Sequence, residues 1–319
     1  MNSLQSVPFW KMHHLGNHFV FLNEFAFSSA SEADAQWNFL KTPGAVRLMC
    51  DPARGIGADG VVFLRRPHLL PGDARMQIFN RDGGEAEICG NALLCLGHLY
   101  QSVIDSRSST VSIEAGGSLR ELVMQELESG FPRYRLQLGT VSFDLFKTGE
   151  LDHLLSREPL LFTHHGTSIK KDEENNPVAL PEPIYVNVGN PHAVFFFDHP
   201  LPFSDMEALG SQLETHPRHP RRINVEFVTV ESPSHARVYV WERGCGMTDA
   251  CGTGAAAVCA AGVREGRLQT PVTIHMPGGS LQVDVDSQGH VALTGTVHET
   301  VHGELSLDFL RRLSTAGKQ

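Results

Sequence analysis

"DACGTGAAAVCAAG", residues 249–262, reads as a helix with a cysteine at its first turn. A second stretch, "EICGNALLCLGHLY", residues 87–100, has the same grammar. Setting Cys89 over Cys251 aligns "IFNRDGGEAEICGNA" with "VWERGCGMTDACGTG", so that Arg81 falls on Arg243, Gly84 on Gly246, Glu87 on Asp249 and Gly90 on Gly252. Both segments pass from an apolar strand through a Gly-rich turn to Cys-Gly and then a helix. That shared order, repeated 162 residues apart, points to an internal duplication. The expected fold is therefore two similar halves, each with one cysteine at a helix start.

Around these two stretches lie short segments of strand length: "VVFL" (61–64), "MQIF" (76–79), "RYRLQL" (133–138), "IYVNV" (184–188), "VEFVTV" (225–230), "ARVYVW" (236–241) and "LQVDV" (281–285). Gly, Pro, Asn and Asp punctuate them. Helical character is read after Cys89, after Cys251 and over residues 203–214. The fold class is mixed α/β with mainly antiparallel strands, because short turns cannot make the crossovers that parallel pairing needs. At 319 residues two domains are expected. The polar stretch "THHGTSIKKDEENNP" (163–177) reads as an exposed loop or insertion.

Composition narrows the function. A net charge of -10 argues against nucleic acid or an anionic membrane as partner, since both recruit clustered Lys and Arg. No stretch approaches the ~20 apolar residues of a membrane span, and the N-terminus lacks the pattern of a secretory signal, so a soluble, cytoplasmic chain is expected. The six cysteines then read as reduced thiols rather than a disulfide framework. There is no CxxC pair, and the 17 histidines are scattered, so no metal site is expected. None of the six lysines lies in a Gly-rich segment suited to a Schiff base, and no GxSxG elbow is present.

A cysteine at a helix N-terminus sits among unpaired N–H groups and the positive end of the macrodipole, both of which favour thiolate. The N–H groups that follow it suit a carboxylate or a developing oxyanion. Cys95 and Cys259, deeper in the same helices, read as small core residues. Two acid/base groups on opposite faces of one carbon can take a proton from one side and return one to the other, which is the chemistry of a two-base racemase.

At this point the chain resembles the diaminopimelate epimerase family over nearly its full length. The resemblance is carried by "GNHFVFLNEF" (16–25), "CDPARGIGADGVVFL" (50–64), "FNRDGGEAEICGN" (79–91), "VGNPHAVFF" (188–196), "RINVEFV" (222–228), "ERGCGMTDACGTGAAA" (242–257), "MPGG" (276–279) and "LTGTV" (293–297). It implies two pseudo-symmetric domains, each a strand layer or barrel around a central helix, with the active site between them. Residues 1–133 with 298–319 would form the first domain, and residues 134–297 the second. It implies a cofactor-independent epimerase that interconverts LL- and meso-2,6-diaminopimelate, a small-molecule substrate, and it allows a homodimer. Cys89 and Cys251 would be the two bases, assisted by His192 and Glu242. The N–H groups of Gly90, Asn91, Gly252 and Thr253 would hold the reacting carboxylate, while Asn17, Asn80, Asn190, Asn224 and Arg243 would bind the distal end.

The chain departs from the family pattern at four positions. Ala92 stands where Gly is usual, Leu94 where Arg is common, His18 where an acidic residue is frequent, and Thr296 where Pro is usual. The stretch 143–183 is longer than in the family. Two alternatives stay open: a racemase of the same fold acting on another amino acid, and a non-catalytic amino acid binding or thiol-redox protein.

Overall fold

The computed structural model describes residues 6–86, 88–125, 127, 129–143 and 180–317. Glu87 of the repeat alignment and most of the stretch 143–183 lie outside the described residues. The chain forms two units, Met1–Gln137 with Thr294–Gln319, and Leu138–Leu293.

The first unit opens with an antiparallel hairpin, β1 (Val7–His14) and β2 (Asn17–Asn23), turned at Leu15 and Gly16, both with positive φ. The chain then runs through α1 (Ala30–Trp37) and α2 (Pro43–Cys50) before β3 (Gly60–Arg65) pairs parallel with β2. Next, β4 (Ala74–Asn80) turns back along β3, and the short β5 (Glu85–Ala86) follows. Helix α3 (Gly90–Val103) then carries the chain to β6 (Thr110–Ala115), parallel to β4. After that β7 (Ser118–Met124) and β8 (Arg133–Thr140) continue antiparallel.

The second unit repeats this order. β9 (Ile184–Asn187) and β10 (Pro191–Phe197) form a hairpin, and α4 (Phe203–Glu214) leads to β11 (Asn224–Ser232), parallel to β10. β12 (His235–Glu242) and β13 (Gly246–Thr248) turn back, and α5 (Gly252–Arg264) crosses to β14 (Val272–Met276), parallel to β12. β15 (Gly279–Val285) and β16 (His290–Thr296) follow. The chain ends in the first unit, where β17 (His298–Leu305) pairs with β1 and α6 (Leu307–Ala316) lies against α2. Elements β1 to β7 around α3 thus correspond one for one to β9 to β15 around α5.

Each central helix is wrapped by strands of its own unit. Helix α3 touches β1, β2, β3, β4 and β6, and α5 touches β9, β10, β11, β14 and β15. A helix apolar on every side has no solvent face to offer. Accordingly Ala92 through Leu96 are fully buried, as are Ala255 through Cys259. Burying each of the leucines of α3 stabilises the fold by roughly 1.5–3 kcal/mol. Small residues let the strands close in: a Cβ on Gly97 would come within 2.7 Å of Leu122.

Mixed α/β with a mainly antiparallel sheet is the observed class. Parallel pairing joins β2/β3, β4/β6, β10/β11 and β12/β14, each bridged by a crossover that contains helix. Helical structure also extends beyond the three segments read from the sequence, to α1, α2 and α6. Ser29 caps α1 by accepting from the Glu32 N–H, while Glu32 Oε2 accepts from the Ser28 N–H, a local variant of the capping box. Pro43 opens α2 in the first turn, where a missing N–H costs nothing.

Candidate active-site residues

In the second unit Cys251 is the N-cap of α5, in extended conformation, and only 6% exposed. Its Sγ accepts from the Gly254 N–H at 3.4 Å and lies 3.5 Å from Thr253 Oγ1. This leaves the first N–H groups of the helix, Gly252 and Thr253, without an intrahelical acceptor. Glu242 lies close enough for its charge to act on the Cys251 thiol, and the Thr248 hydroxyl donates to Glu242 Oε1 at 2.6 Å. Burial pushes the thiol well above its ordinary range, and the charges of Glu242 and Glu226 push it further, against the bonds from Thr253 and Gly254. Burial likewise raises Glu242, opposed by Thr248, Cys251 and the charge of His192. A buried thiol beside a carboxyl with a raised pKa is a pair arranged to exchange a proton.

His192 belongs to the same constellation. Its Nε2 lies 2.9 Å from Asn190 Oδ1, and Asn190 Nδ2 donates to Thr253 Oγ1 at 3.3 Å. Asn224 ties two strands together: its Nδ2 donates to the Pro191 carbonyl at 2.9 Å and its Oδ1 accepts from the Arg243 N–H at 2.9 Å. The Arg243 side chain is exposed, with Nη1 3.4 Å from the Arg221 carbonyl. Of the sequence-predicted residues, Asn190, His192, Asn224, Glu242, Arg243, Cys251, Gly252 and Thr253 are therefore held in one connected region.

In the first unit Cys89 is the N-cap of α3, extended and half-buried, without a side-chain capping bond. Its Sγ lies 3.9 Å from Asn17 Oδ1, which also accepts from Asn91 Nδ2 at 3.0 Å. Gly90 and Asn91 form the first turn of α3, where the N–H groups again lack an intrahelical acceptor. Asn80 ends β4 on an exposed turn, its N–H donating to the Gly84 carbonyl at 2.8 Å. Cys50, Cys95 and Cys259 are fully buried, and burial pushes Cys50 up to about 11 and Cys259 up to about 12. They are core thiols.

Three acidic residues were missed in the sequence. Asp59 Oδ2 accepts from Asn17 Nδ2 at 3.1 Å and the His18 N–H at 3.0 Å, and lies 2.7 Å from His18 Nδ1. An acidic residue at position 18 would set two carboxylates face to face; His18 turns the contact into a hydrogen bond. Glu214 fastens the turn after β12, accepting from Trp241 Nε1 at 2.7 Å and the Gly244 N–H at 2.9 Å. Glu226 is wholly buried, its Oε1 2.6 Å from His192 Nδ1. For Asp59 and Glu226 the advance signal was an acid inside a Gly-rich or apolar run; Glu214, in "SQLETHP", gave none. The departures at Ala92 and Leu94 are accommodated: both are buried within α3, and neither has positive φ.

The family model described as Diaminopimelate epimerase matches residues 9–141 and 184–299. A diaminopimelate epimerase of Methanothermobacter thermautotrophicus is 36% identical over 283 residues, covering 89% of this chain and 92% of its own. One from Carboxydothermus hydrogenoformans is 36% identical over 309 residues, covering 94% and 100%. Among solved structures, a hydroxyproline epimerase of Agrobacterium vitis with bound trans-4-hydroxy-L-proline superposes with a TM-score of 0.61 at 16% identity, covering 97% of this chain and 94% of that one. That likeness speaks for the fold.

Proposed function

The chain belongs to the diaminopimelate epimerase family, and from that premise we infer that it interconverts LL- and meso-2,6-diaminopimelate, a step of lysine biosynthesis. The reaction inverts one α-carbon. In the proposed mechanism one of Cys89 and Cys251, as thiolate, removes the α-proton, and the other, as thiol, delivers a proton to the opposite face. Their roles exchange with the direction of reaction. The N–H groups of Gly90, Asn91, Gly252 and Thr253 stabilise the charge that spreads onto the reacting carboxylate, in place of a cofactor's electron sink. Glu242 takes and returns the Cys251 proton. Arg243 and the Asn side chains read the distal amino acid end.

The observation that supports this reading best is the buried Cys251 thiol, which caps α5 by accepting from the Gly254 N–H and lies within the field of the Glu242 carboxyl. A cytoplasmic compartment, which keeps such thiols reduced, is the proposed location. A homodimer is the proposed assembly, which sedimentation velocity checks. The deciding experiment incubates the reduced protein with LL-diaminopimelate in D2O without added cofactor. Formation of the meso isomer with deuterium at one α-carbon is expected. No conversion, with another amino acid racemised in the same assay, would replace the substrate while keeping the chemistry.

A further inference from the structure

The internal duplication allows each buried side chain of one copy to be compared with its counterpart in the other. The turn Gly16-Asn17 corresponds to Gly189-Asn190, so Phe19 on β2 occupies the place of His192 on β10. Phe19 pairs with Gly60, and His192 with Asn224, which sets Val62 on the place of Glu226. In the first copy the two places hold hydrocarbon, Phe19 and Val62, both buried. The second copy fills them with an imidazole and a carboxyl, both 0% exposed. A buried pair of this kind gives no net stability over well-packed apolar residues, so its presence calls for a role in chemistry.

Geometry supplies that role. His192 Nε2 faces the carbonyl oxygen of the Asn190 side chain at 2.9 Å, so Nε2 carries a proton. Nδ1 faces Glu226 Oε1 at 2.6 Å, and a second proton lies between them. Whether that proton rests on nitrogen or oxygen, the pair is neutral as a whole, the arrangement that burial favours. Asn190 Nδ2 donates to Thr253 Oγ1, which leaves the Thr253 hydroxyl proton to point at Cys251 Sγ, 3.5 Å away. Room for the carboxyl comes from Gly254, where an added Cβ would lie 3.1 Å from Glu226 Oε1. The counterpart of Gly254 in the first copy is Ala92, which stands in the copy that has Val62.

We propose that Glu226 is a positioning residue for the reaction: it fixes His192 with its proton on Nε2, and so orients a chain of hydrogen bonds through Asn190 and Thr253 that ends as a donor at Cys251 Sγ. The donor end of that chain stabilises Cys251 as a thiolate. It acts against the negative charge of Glu242, which disfavours the thiolate. The proposal rests on the epimerase reading for its catalytic consequence, though not for the placement of the proton.

Two variants and one spectrum test it. Glu226→Val installs the residue of the other copy and leaves Nδ1 without a partner. It is expected to lower kcat by on the order of 10- to 100-fold, as loss of a histidine's orienting partner does at metal sites, with KM changed far less. Glu226→Gln, whose amide donates to Nδ1 and so keeps the proton on Nε2, is expected to recover most of that loss. Histidine nitrogen NMR of the wild-type protein is expected to report a protonated Nε2 at His192, with Glu226→Val mixing the tautomers. An unprotonated Nε2 in the wild type, or Glu226→Val and Glu226→Gln both at wild-type kcat, overturns the proposal. If the wild type fails to epimerise diaminopimelate, the functional reading falls, and the NMR result still decides the proton's place.

Discussion

The two cysteines cap equivalent helices in the two copies, yet their surroundings differ in kind. Cys89 is half-buried beside a web of amides, Asn17 and Asn91, anchored on the carboxylate of Asp59. Cys251 is buried against Glu242, with Glu226 and His192 behind Asn190 and Thr253. One backbone plan therefore supports two different thiol environments. The difference lies in side chains that a duplication is free to vary once the strands and the central helix are in place. A reaction that needs one thiolate and one thiol at a time has reason to keep that asymmetry.

The comparison breaks most plainly if either thiol is dispensable. Cys89→Ala and Cys251→Ala are each expected to reduce epimerisation by ~10²–10⁴-fold or more, the range for losing a general acid or base, with substrate binding, read by calorimetry, largely intact. Next comes the charge around Cys251. Glu242→Gln is expected to lower kcat by about 100-fold and yet speed alkylation of Cys251 at neutral pH, because removing the negative neighbour lowers the thiol pKa. In the unaltered protein iodoacetamide should modify Cys89 before Cys251; mass spectrometry showing the reverse order would erase the proposed asymmetry.

A smaller effect belongs to the first copy's anchor. Asp59→Asn keeps the shape but alters the acceptor shared by Asn17 and His18, and a rise in KM of about 5- to 10-fold is expected for one weakened charge-assisted contact. Unchanged KM would show that the amide web holds itself. The smallest effect concerns stability. His14 is buried, donates from Nδ1 to the Thr296 carbonyl, and is held down at about 4 chiefly by burial. Its neutral form is the folded form, so the stability it allows is full above pH 6.5 and is lost as pH falls toward 4, by about 3 kcal/mol at the limit. Denaturation midpoints at pH 7 and pH 5 should converge in His14→Phe relative to the parent.

Much of this organisation was legible in advance, for physical reasons. Strands such as residues 61–64 and 236–241 announce themselves because β-branched and aromatic residues in short runs between turn residues have few other places to go. The helices after Cys89 and Cys251 were readable because a run of good helix formers too long for a strand follows each cysteine, Leu-rich in the first and Ala-rich in the second. Helices α1, α2 and α6 were not: all are short, α1 and α6 are half polar with their information in the caps Ser29 and Ser306, and α2 is an eight-residue apolar run of strand-like length. Glu226 was illegible for another reason. In "NVEFV" an acid between apolar residues reads as the outward face of an alternating strand, but both faces of β11 are covered there, and all five residues are buried. Only the tertiary arrangement of His192 on the neighbouring strand gives that carboxyl a partner.

The first unit is discontinuous and the second is not: residues 138–293 form one unbroken span between the two pieces of the other. During synthesis on the ribosome the leading 137 residues emerge without β17 and α6, the elements that cover β1 and α2. The middle of the chain is thus complete in sequence before the beginning is, a reversal of the usual N-terminal-first order. A nascent chain held at the stage where residue 293 has left the ribosomal tunnel and β17 has not should carry a more protease-resistant second unit and a first unit still open to cleavage.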